Sequence, residues 1–395
     1  MPRNDKVLSV TLDSRHMRLR VIFAAIFFVI ALVAIGWGLL SLLREEGGWD
    51  EITAEGSVVE SVAQDMTLQY RLDEAMSRAE RRQVTACYTD AAARAWRVFH
   101  PAREYEGIGN LASLNAHPGE FIRLEPELYA ALEALRAAGD RTVFLGPIGE
   151  EYAALFAAGD DELAAVYDPY GDSVESQYMK QLMTFIADES AVSLELKDGQ
   201  ARLTVSDAYR AFAEENEVSR YLDLLWMKNA FAVDLVADAL VKGGFEKGYL
   251  VTADGFMRNF CREDAFTLEI ALRRERTAVV GGEVAYTAPL AALTLHDAPF
   301  GEAAAERYYT FADGTTRTGY VDPADGLCKS ALPDLTLYSD TRTCGQIALA
   351  AAPVYIADTL DEAALKALAK EGVYAVYESA GELKTTGKPA DLKKP

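Results

Sequence analysis

Cysteine and histidine are scarce in this chain of 395 residues. Cys87, Cys261, Cys328 and Cys344 stand far apart, no C-x-x-C occurs, and His16, His100, His117 and His296 sit near none of them. That spacing argues against a zinc site. Cys328 and Cys344 are close enough in sequence to bridge a hairpin, but unpaired, partly buried thiols are the simpler expectation. Net positive charge is also missing: 39 Lys and Arg face 61 Asp and Glu, a formal charge of -22. Such a surface repels phosphates and argues against nucleic acid as a partner. There is no Gly-x-Ser-x-Gly, no phosphate-binding Walker loop and no His-Glu-x-x-His, so acyl transfer, loop-held nucleotide hydrolysis and zinc proteolysis have no motif behind them. No internal repeat or low-complexity tract is evident.

What is present first is one long apolar run. Residues 21–43, VIFAAIFFVIALVAIGWGLLSLL, contain no charge. That length spans a bilayer with some tilt. Arg3, Lys6, Arg15, Arg18 and Arg20 precede it against Asp5 and Asp13, and Arg44, Glu45, Glu46, Asp50 and Glu51 follow. The basic flank stays on the cytoplasmic side, which places the bulk of the chain outside. LLSLLREEGG is not a small-residue cleavage exit. The reading is a single-pass signal anchor in a cell membrane, with the lipid bilayer as partner through residues 21–43, a cytoplasmic basic tail at 1–20 and an extracytoplasmic main domain.

Residues 44–65 read as an acidic linker, 66–380 as one folded domain and 381–395 as a polar, disordered tail. Half the residues are hydrophobic, enough for a sizeable core. Residues 66–100 favour helix, with Leu68, Leu72, Met76 and Ala79 at helical spacing, although 83–88 also suit a strand. Helices are expected at 125–138, 173–187, 229–241, 345–355 and 360–371, and a short strand or buried turn at 142–148. Asp198-Gly199 between two β-rich runs, 191–196 and 201–205, signals a hairpin. Strands are expected at 249–252, 267–272, 283–286, 291–295, 308–311, 318–321 and 335–338, with an edge strand at 374–378. Helices and strands are interspersed without a βαβ rhythm, so the fold class is mixed α/β (α+β): a single domain of mixed or antiparallel sheets packed by helices, preceded by one transmembrane helix.

Four stretches together resemble the FAD:protein FMN transferase (ApbE-like) family. They are YEGIGNLASLNAHPGEFIRLEPELYAALEAL (105–135), MKNAFAVDLVADALVKGGFEKGYLVTADGFMRN (227–259), RYYTFADGTTRTGYVDPADG (307–326) and LTLYSDTRTCGQIALAAAPVYI (335–356). They stand in the family's order, and the second is the most specific: it is similar to the family's Ala-Lys-Gly-Tyr-Ala-Val-Asp helix, followed by a strand and a Gly-Gly turn. Family members pass the FMN half of FAD, with magnesium, to a threonine or serine of a partner protein. The resemblance therefore implies FAD and Mg2+ as cofactors and a membrane redox protein as partner.

The departures bear on activity. Bulky Leu224, Leu225 and Trp226 replace the small glycines before Lys228, where backbone must approach a pyrophosphate closely. The Gly-Gly turn has become Asp254-Gly255, and the family's histidine before Ile-Ile-Asp-Pro falls at Gly319. Its metal-binding aspartate aligns with Gly345 and the following threonine with Leu349, so neither oxygen ligand is there.

The cofactor-binding candidates are Asn115, Lys228, Asp234, Asp254 and Gly255, and the catalytic candidate is Asp322. Each has a structural alternative. Lys228 either contacts a phosphate or lays its stem on Phe231 and Leu235. Asn115 reads a flavin ring edge or forms a turn. Asp234 holds a nucleotide hydroxyl, caps a loop or joins a solvated stripe with Asp238. Asp254 is either a gained ligand or a solvated turn carboxylate. Three functions remain open: a degenerate transferase that binds flavin or a partner, an active Mg-dependent transferase with substitute ligands, and an unrelated extracytoplasmic module.

Overall fold

The computed structural model describes residues 48–56, 60–73, 77–274, 277–287, 289–299, 307–387 and 392–394. The apolar run 21–43 lies outside them; among the described residues no helix is long and apolar enough to cross a membrane. The strands are β1 (Gly48–Ile52), β2 (Met66–Leu72), β3 (Ile122–Arg123), β4 (Val192–Lys197), β5 (Gln200–Val205), β6 (Gly248–Thr252), β7 (Phe256–Asn259), β8 (Phe266–Arg274), β9 (Thr277–Tyr286), β10 (Leu290–His296), β11 (Tyr308–Thr310), β12 (Thr316–Thr318), β13 (Asp334–Ser339), β14 (Tyr374–Ser379), β15 (Glu382–Thr385) and β16 (Leu392–Lys393). The helices are α1 (Ser77–Val98), α2 (Leu111–Ala116), α3 (Pro126–Ala138), α4 (Gly146–Phe156), α5 (Asp161–Tyr167), α6 (Val174–Ile186), α7 (Asp207–Glu215), α8 (Lys228–Lys242), α9 (Cys344–Tyr355) and α10 (Glu362–Lys370).

One eight-stranded sheet, in the order β1-β2-β6-β7-β10-β13-β14-β15, organises the domain. Its pairs are antiparallel throughout. β10 shows why the central strands are apolar at nearly every position. Ala291, Leu293 and Leu295 face the larger core under α1, α8 and α9, while Leu290 and Ala292 face a second core under the β8–β9 hairpin, with Leu268, Ile270, Leu272 and Val284. A strand covered on both faces loses the alternation of a half-buried one. A smaller β3-β5-β4 sheet and the β11–β12 hairpin flank the main sheet.

Several local expectations hold. Asp198 and Gly199 take φ of 52° and 77° between β4 and β5, the left-handed pair that a two-residue hairpin turn requires. Helix α6 starts at an N-cap, Ser173, whose hydroxyl accepts the Ser176 N–H. Residues 142–148 form a buried 3-10 turn running into α4. All four cysteines are free thiols, three of them buried.

Others are corrected. Residues 66–72 form strand β2, not helix, and bury Met66, Leu68, Tyr70 and Leu72 on one face. Leu68 and Leu72 are four apart, a spacing that serves a helix face and a strand face equally. Residues 83–88 are helical, inside α1. The expected linker contains β1, which pairs with β2. Residues 374–378 are not an edge, because β15 pairs with β14. The polar tail is likewise used: β15 joins the main sheet and β16 pairs with β9. Backbone pairing needs no apolar side chains, so composition alone hid both.

Candidate functional site

The sequence-predicted site residues separate into two groups. One group is built into the frame. Asn115, buried on α2, donates both amide protons to the Pro101 and Leu222 carbonyls, at 2.8 and 2.9 Å. Its Oδ1 accepts the Tyr221 and Leu222 N–H groups, at 3.2 and 2.9 Å. That is the full capacity of an asparagine side chain. Asp234 on α8 accepts the Cys344 N–H through Oδ1, at 2.9 Å, and the Gly345 N–H through Oδ2, at 2.8 Å. It therefore supplements the Thr343 capping box at the start of α9, where a carboxylate also faces the positive end of the helix. Burial pushes this carboxyl up, opposed by those same N–H groups. Asp234 thus leaves the expected solvated stripe, while Asp238 stays exposed on it.

The metal-ligand positions of the resemblance do not fit a magnesium ion. A Cβ on Gly345 would come within 2.7 Å of the Phe231 ring and 3.3 Å of Asp234 Oδ2. Leu349 packs against the core. Neither position offers an oxygen ligand, and Phe231 occupies the space that a ligand side chain at 345 would need.

Asp322, the catalytic candidate, is also engaged. Its Oδ1 accepts the Ala324 N–H at 2.9 Å, and its Oδ2 pairs with Lys329 Nζ at 2.6 Å. Lys329 pairs with Asp325 as well. The turn sits on the frame: a Cβ on Gly326 would strike Met183 of α6, and Tyr152 of α4 donates to the Gly326 carbonyl.

The second group converges. The turn between β6 and β7 carries Asp254 and Gly255. Gly255 has φ of 92°, and a Cβ there would overlap the Thr294 carbonyl oxygen of β10, so the close approach requires glycine. This wedge directs Asp254 inward. Its side chain is 11% exposed. It accepts from Asn229 Nδ2 at 2.9 Å and faces Arg307 Nη1 at 3.4 Å. Burial pushes its carboxyl up, against the pull of Arg307 and of Thr252 and Asn229. Asp254 is therefore not a solvated turn carboxylate. Trp226, Tyr308, Tyr320, Gly319 and His296 line a cavity of about 110 Å³ with it. His296 is held by Asp334, with Nδ1 2.8 Å from Oδ1, and Tyr308 donates to its carbonyl. Gly319, where the family's histidine falls, has room for a side chain: a built Cβ meets nothing closer than 4.0 Å.

Lys228 lies beside this corner but opens on a different cavity as well. Leu225 takes a left-handed φ of 49°, a conformation glycine adopts without strain. Its side chain lies on the bare backbone of Gly149, where a Cβ would collide with it. Beyond that contact, Trp96, Phe99, His100, Asp223 and Lys228 line a cavity of about 350 Å³. The Lys228 ammonium stands 5.7 Å from the Trp96 ring centre and pulls on the Asp223 carboxylate, which pairs with Arg220. His100 Nδ1 accepts the Ala102 and Arg103 N–H groups, which leaves the proton on Nε2. Leu224 and Met227 are buried and fill the frame behind. Leu225 and Trp226 thus stand with Lys228 between that cavity and a smaller one of about 170 Å³ on the Asp254 side.

Sequence reasoning did not single out Arg307, His296, Tyr308 or Tyr320 as site residues. Arg307, Tyr308 and Tyr320 lie in the quoted 307–326 stretch and His296 lies outside all four stretches; they share a cavity with Asp254 because β10, β11 and the 319–321 segment converge on the β6–β7 turn.

No protein-family model and no curated protein matches the chain. Solved structures do. The ApbE protein of Thermotoga maritima superposes with a TM-score of 0.55 at 12% identity, covering 83% of this chain and 93% of its own. The flavin transferase ApbE of Vibrio cholerae gives 0.55 at 12% identity, over 85% of this chain and 96% of its own. The apo flavinyl transferase ApbE of Pseudomonas stutzeri gives 0.53 at 13% identity, over 88% and 96%. At such low identity the likeness is one of architecture: the chain has the ApbE flavin transferase fold.

Proposed function

We propose that this chain is a membrane-anchored, extracytoplasmic ApbE-fold domain that has given up FMN transfer and acts by binding, as a flavin-binding or assembly partner of a membrane redox protein. The observation that carries this reading is the contact between Gly345 and Phe231, which closes the place of a family metal ligand with hydrocarbon. The Leu225 contact with Gly149 and the missing histidine at Gly319 point the same way. A transferase would need Mg2+ to neutralise charge on a pyrophosphate. The test uses the full-length chain in detergent with FAD, Mg2+ and a threonine-containing acceptor. No covalent flavin should appear on the acceptor; Mg-dependent transfer would overturn the proposal. The anchor is tested by carbonate extraction of membranes and by protease accessibility of the main domain from the outer side.

One observation favours a second reading, an active transferase with substitute ligands. His296 of β10, paired with Asp334, lines the same cavity as Gly319. It would supply an imidazole from another strand. If transfer is found, His296→Asn should abolish it with the fold intact.

A further inference from the structure

Strand β1 stands at one edge of the eight-stranded sheet and carries an exposed indole. Trp49 is 43% exposed, although a ring of that size is mostly covered in folded domains. It is not an isolated ring. Its centre lies 5.5 Å from that of Tyr249 on β6 and 5.6 Å from that of Phe266 on β8, and Phe266 stacks on Tyr286 of β9 at 5.7 Å. Three half-buried rings thus hold the indole at the surface as an aromatic ledge. The charges about the ledge are matched within the protein. Arg71, in register with Trp49 on β2, pairs with Glu263 and Asp264, and Arg81 pairs with Asp50.

What covers the ledge follows from the stretch of chain that leads into it. The uncharged run ends at Leu43, and β1 starts at Gly48. Even fully extended, the steps between these two residues reach about 18 Å at most. The headgroup layer on each side of a bilayer is about 5–8 Å thick. A run at 21–43 that spans the bilayer therefore delivers Gly48, and Trp49 with it, to the headgroups or just above them. Trp and Tyr are the side chains this boundary favours, because one end of each is apolar and the other is wet. Charge selects the lipid. A chain of formal charge -22 is repelled by anionic headgroups, whereas a ledge with its charges paired tolerates zwitterionic ones.

We infer that the end of the sheet carrying Trp49, Tyr249 and Phe266 is a membrane-contact surface, seated in the zwitterionic headgroups of the bilayer that holds the anchor. This rests on the anchor proposed above and goes beyond it, since a tether alone sets no orientation. The orientation has a consequence for the candidate site. Gly48 pairs with Leu72 and Gly248 with Tyr70, whereas Thr252, beside the Asp254 turn, pairs with Met66 at the other end of β2. Met66 and Leu72 are six residues apart, about 20 Å along a strand. With the ledge on the lipid, the Asp254 cavity lies away from the bilayer. A partner reaches it with a segment that stands clear of the lipid, not with a membrane-embedded one.

The test uses the unaltered full-length chain in phosphatidylcholine vesicles, so no variant has to fold. Tyr170, between α5 and α6, is 48% exposed and serves as the internal control. Exposure alone gives Trp49 and Tyr170 comparable labelling by hydroxyl radicals. Contact with lipid should leave Trp49 oxidised several-fold less than Tyr170. A phosphatidylcholine with a photoactivated diazirine in its headgroup should then cross-link to the Trp49, Tyr249 or Phe266 peptides and not to the Tyr170 peptide. Comparable oxidation of Trp49 and Tyr170 would overturn the inference. Protection of Trp49 without lipid cross-links would mean that another protein surface, such as a second copy, covers the ledge, and would overturn it as well. Flotation of the vesicles separates this failure from that of the anchor. A chain that floats with Trp49 freely oxidised loses only the contact surface, whereas a chain that stays behind loses the anchor and the contact surface together.

Discussion

Asp234 and Asp254 are twenty residues apart, on one continuous helix–strand–turn stretch, and both face the interior. Their surroundings differ in one respect. Both oxygens of Asp234 are occupied by the first N–H groups of α9, whereas Asp254 meets side chains, those of Asn229, Arg307 and Thr252. The first carboxylate caps a helix; the second joins Asn229 and Arg307 in a polar cluster on a cavity wall. A buried carboxylate is therefore assigned by what its second oxygen meets, not by its position in a motif.

Removing Asp234 should sharpen that contrast most. Asp234→Ala leaves two N–H groups at the start of α9 without their acceptor and should cost about 3 kcal/mol in chemical denaturation. A loss below about 1 kcal/mol would show that the cap is dispensable. Next in size is Gly345→Asp, which restores a carboxylate at the family's ligand position but drives it into Phe231. It should cost about 2 kcal/mol, and pairing it with Phe231→Ala should yield less than the sum of the two single losses. Strict additivity would break the argument that Phe231 closes this place.

Asp254→Asn should move stability by less than about 1 kcal/mol, because the amide keeps the shape and removes a partly buried charge. A loss as large as that of Asp234→Ala would place Asp254 in the frame and dissolve the comparison. The smallest effect is a pH dependence in α4. Burial, with Glu175 and Glu150 nearby, pushes the Glu151 carboxyl up to about 7. The folded state then holds the proton more tightly than the unfolded chain, whose value is 4.5. Stability is thus highest below that value and declines as pH rises through about 7. Glu151→Gln should raise the melting temperature more at about pH 8 than at about pH 5; equal gains at both would contradict the shift.

How much of this was legible differs by element. The β4–β5 hairpin was, because Asp198-Gly199 carries its turn geometry in two adjacent residues. Helices α3 and α8 were, because Pro126 at the first turn of one and Gly243-Gly244 at the end of the other mark them, and α9 was legible as an apolar run. Strand β2 was not: Leu68 and Leu72 satisfy two periods at once, and only pairing with β6 decides between them. Strands β7, β15 and β16 were not, since short strands are fixed by neighbours' backbone rather than by their own side chains.

The same division runs through the site. Sequence alone determined that glycine is lost before Lys228 and that no oxygen ligand stands at 345 or 349. It also marked Asp254-Gly255 as a turn worth attention. Tertiary structure decided that Asn115 and Asp234 are fully engaged by backbone, that Asp322 is paired with Lys329, and that Arg307 and Trp226 meet Asp254. Residue types and turn chemistry are local properties, readable along the chain. Whether a polar atom finds a partner depends on which distant segments fold against it.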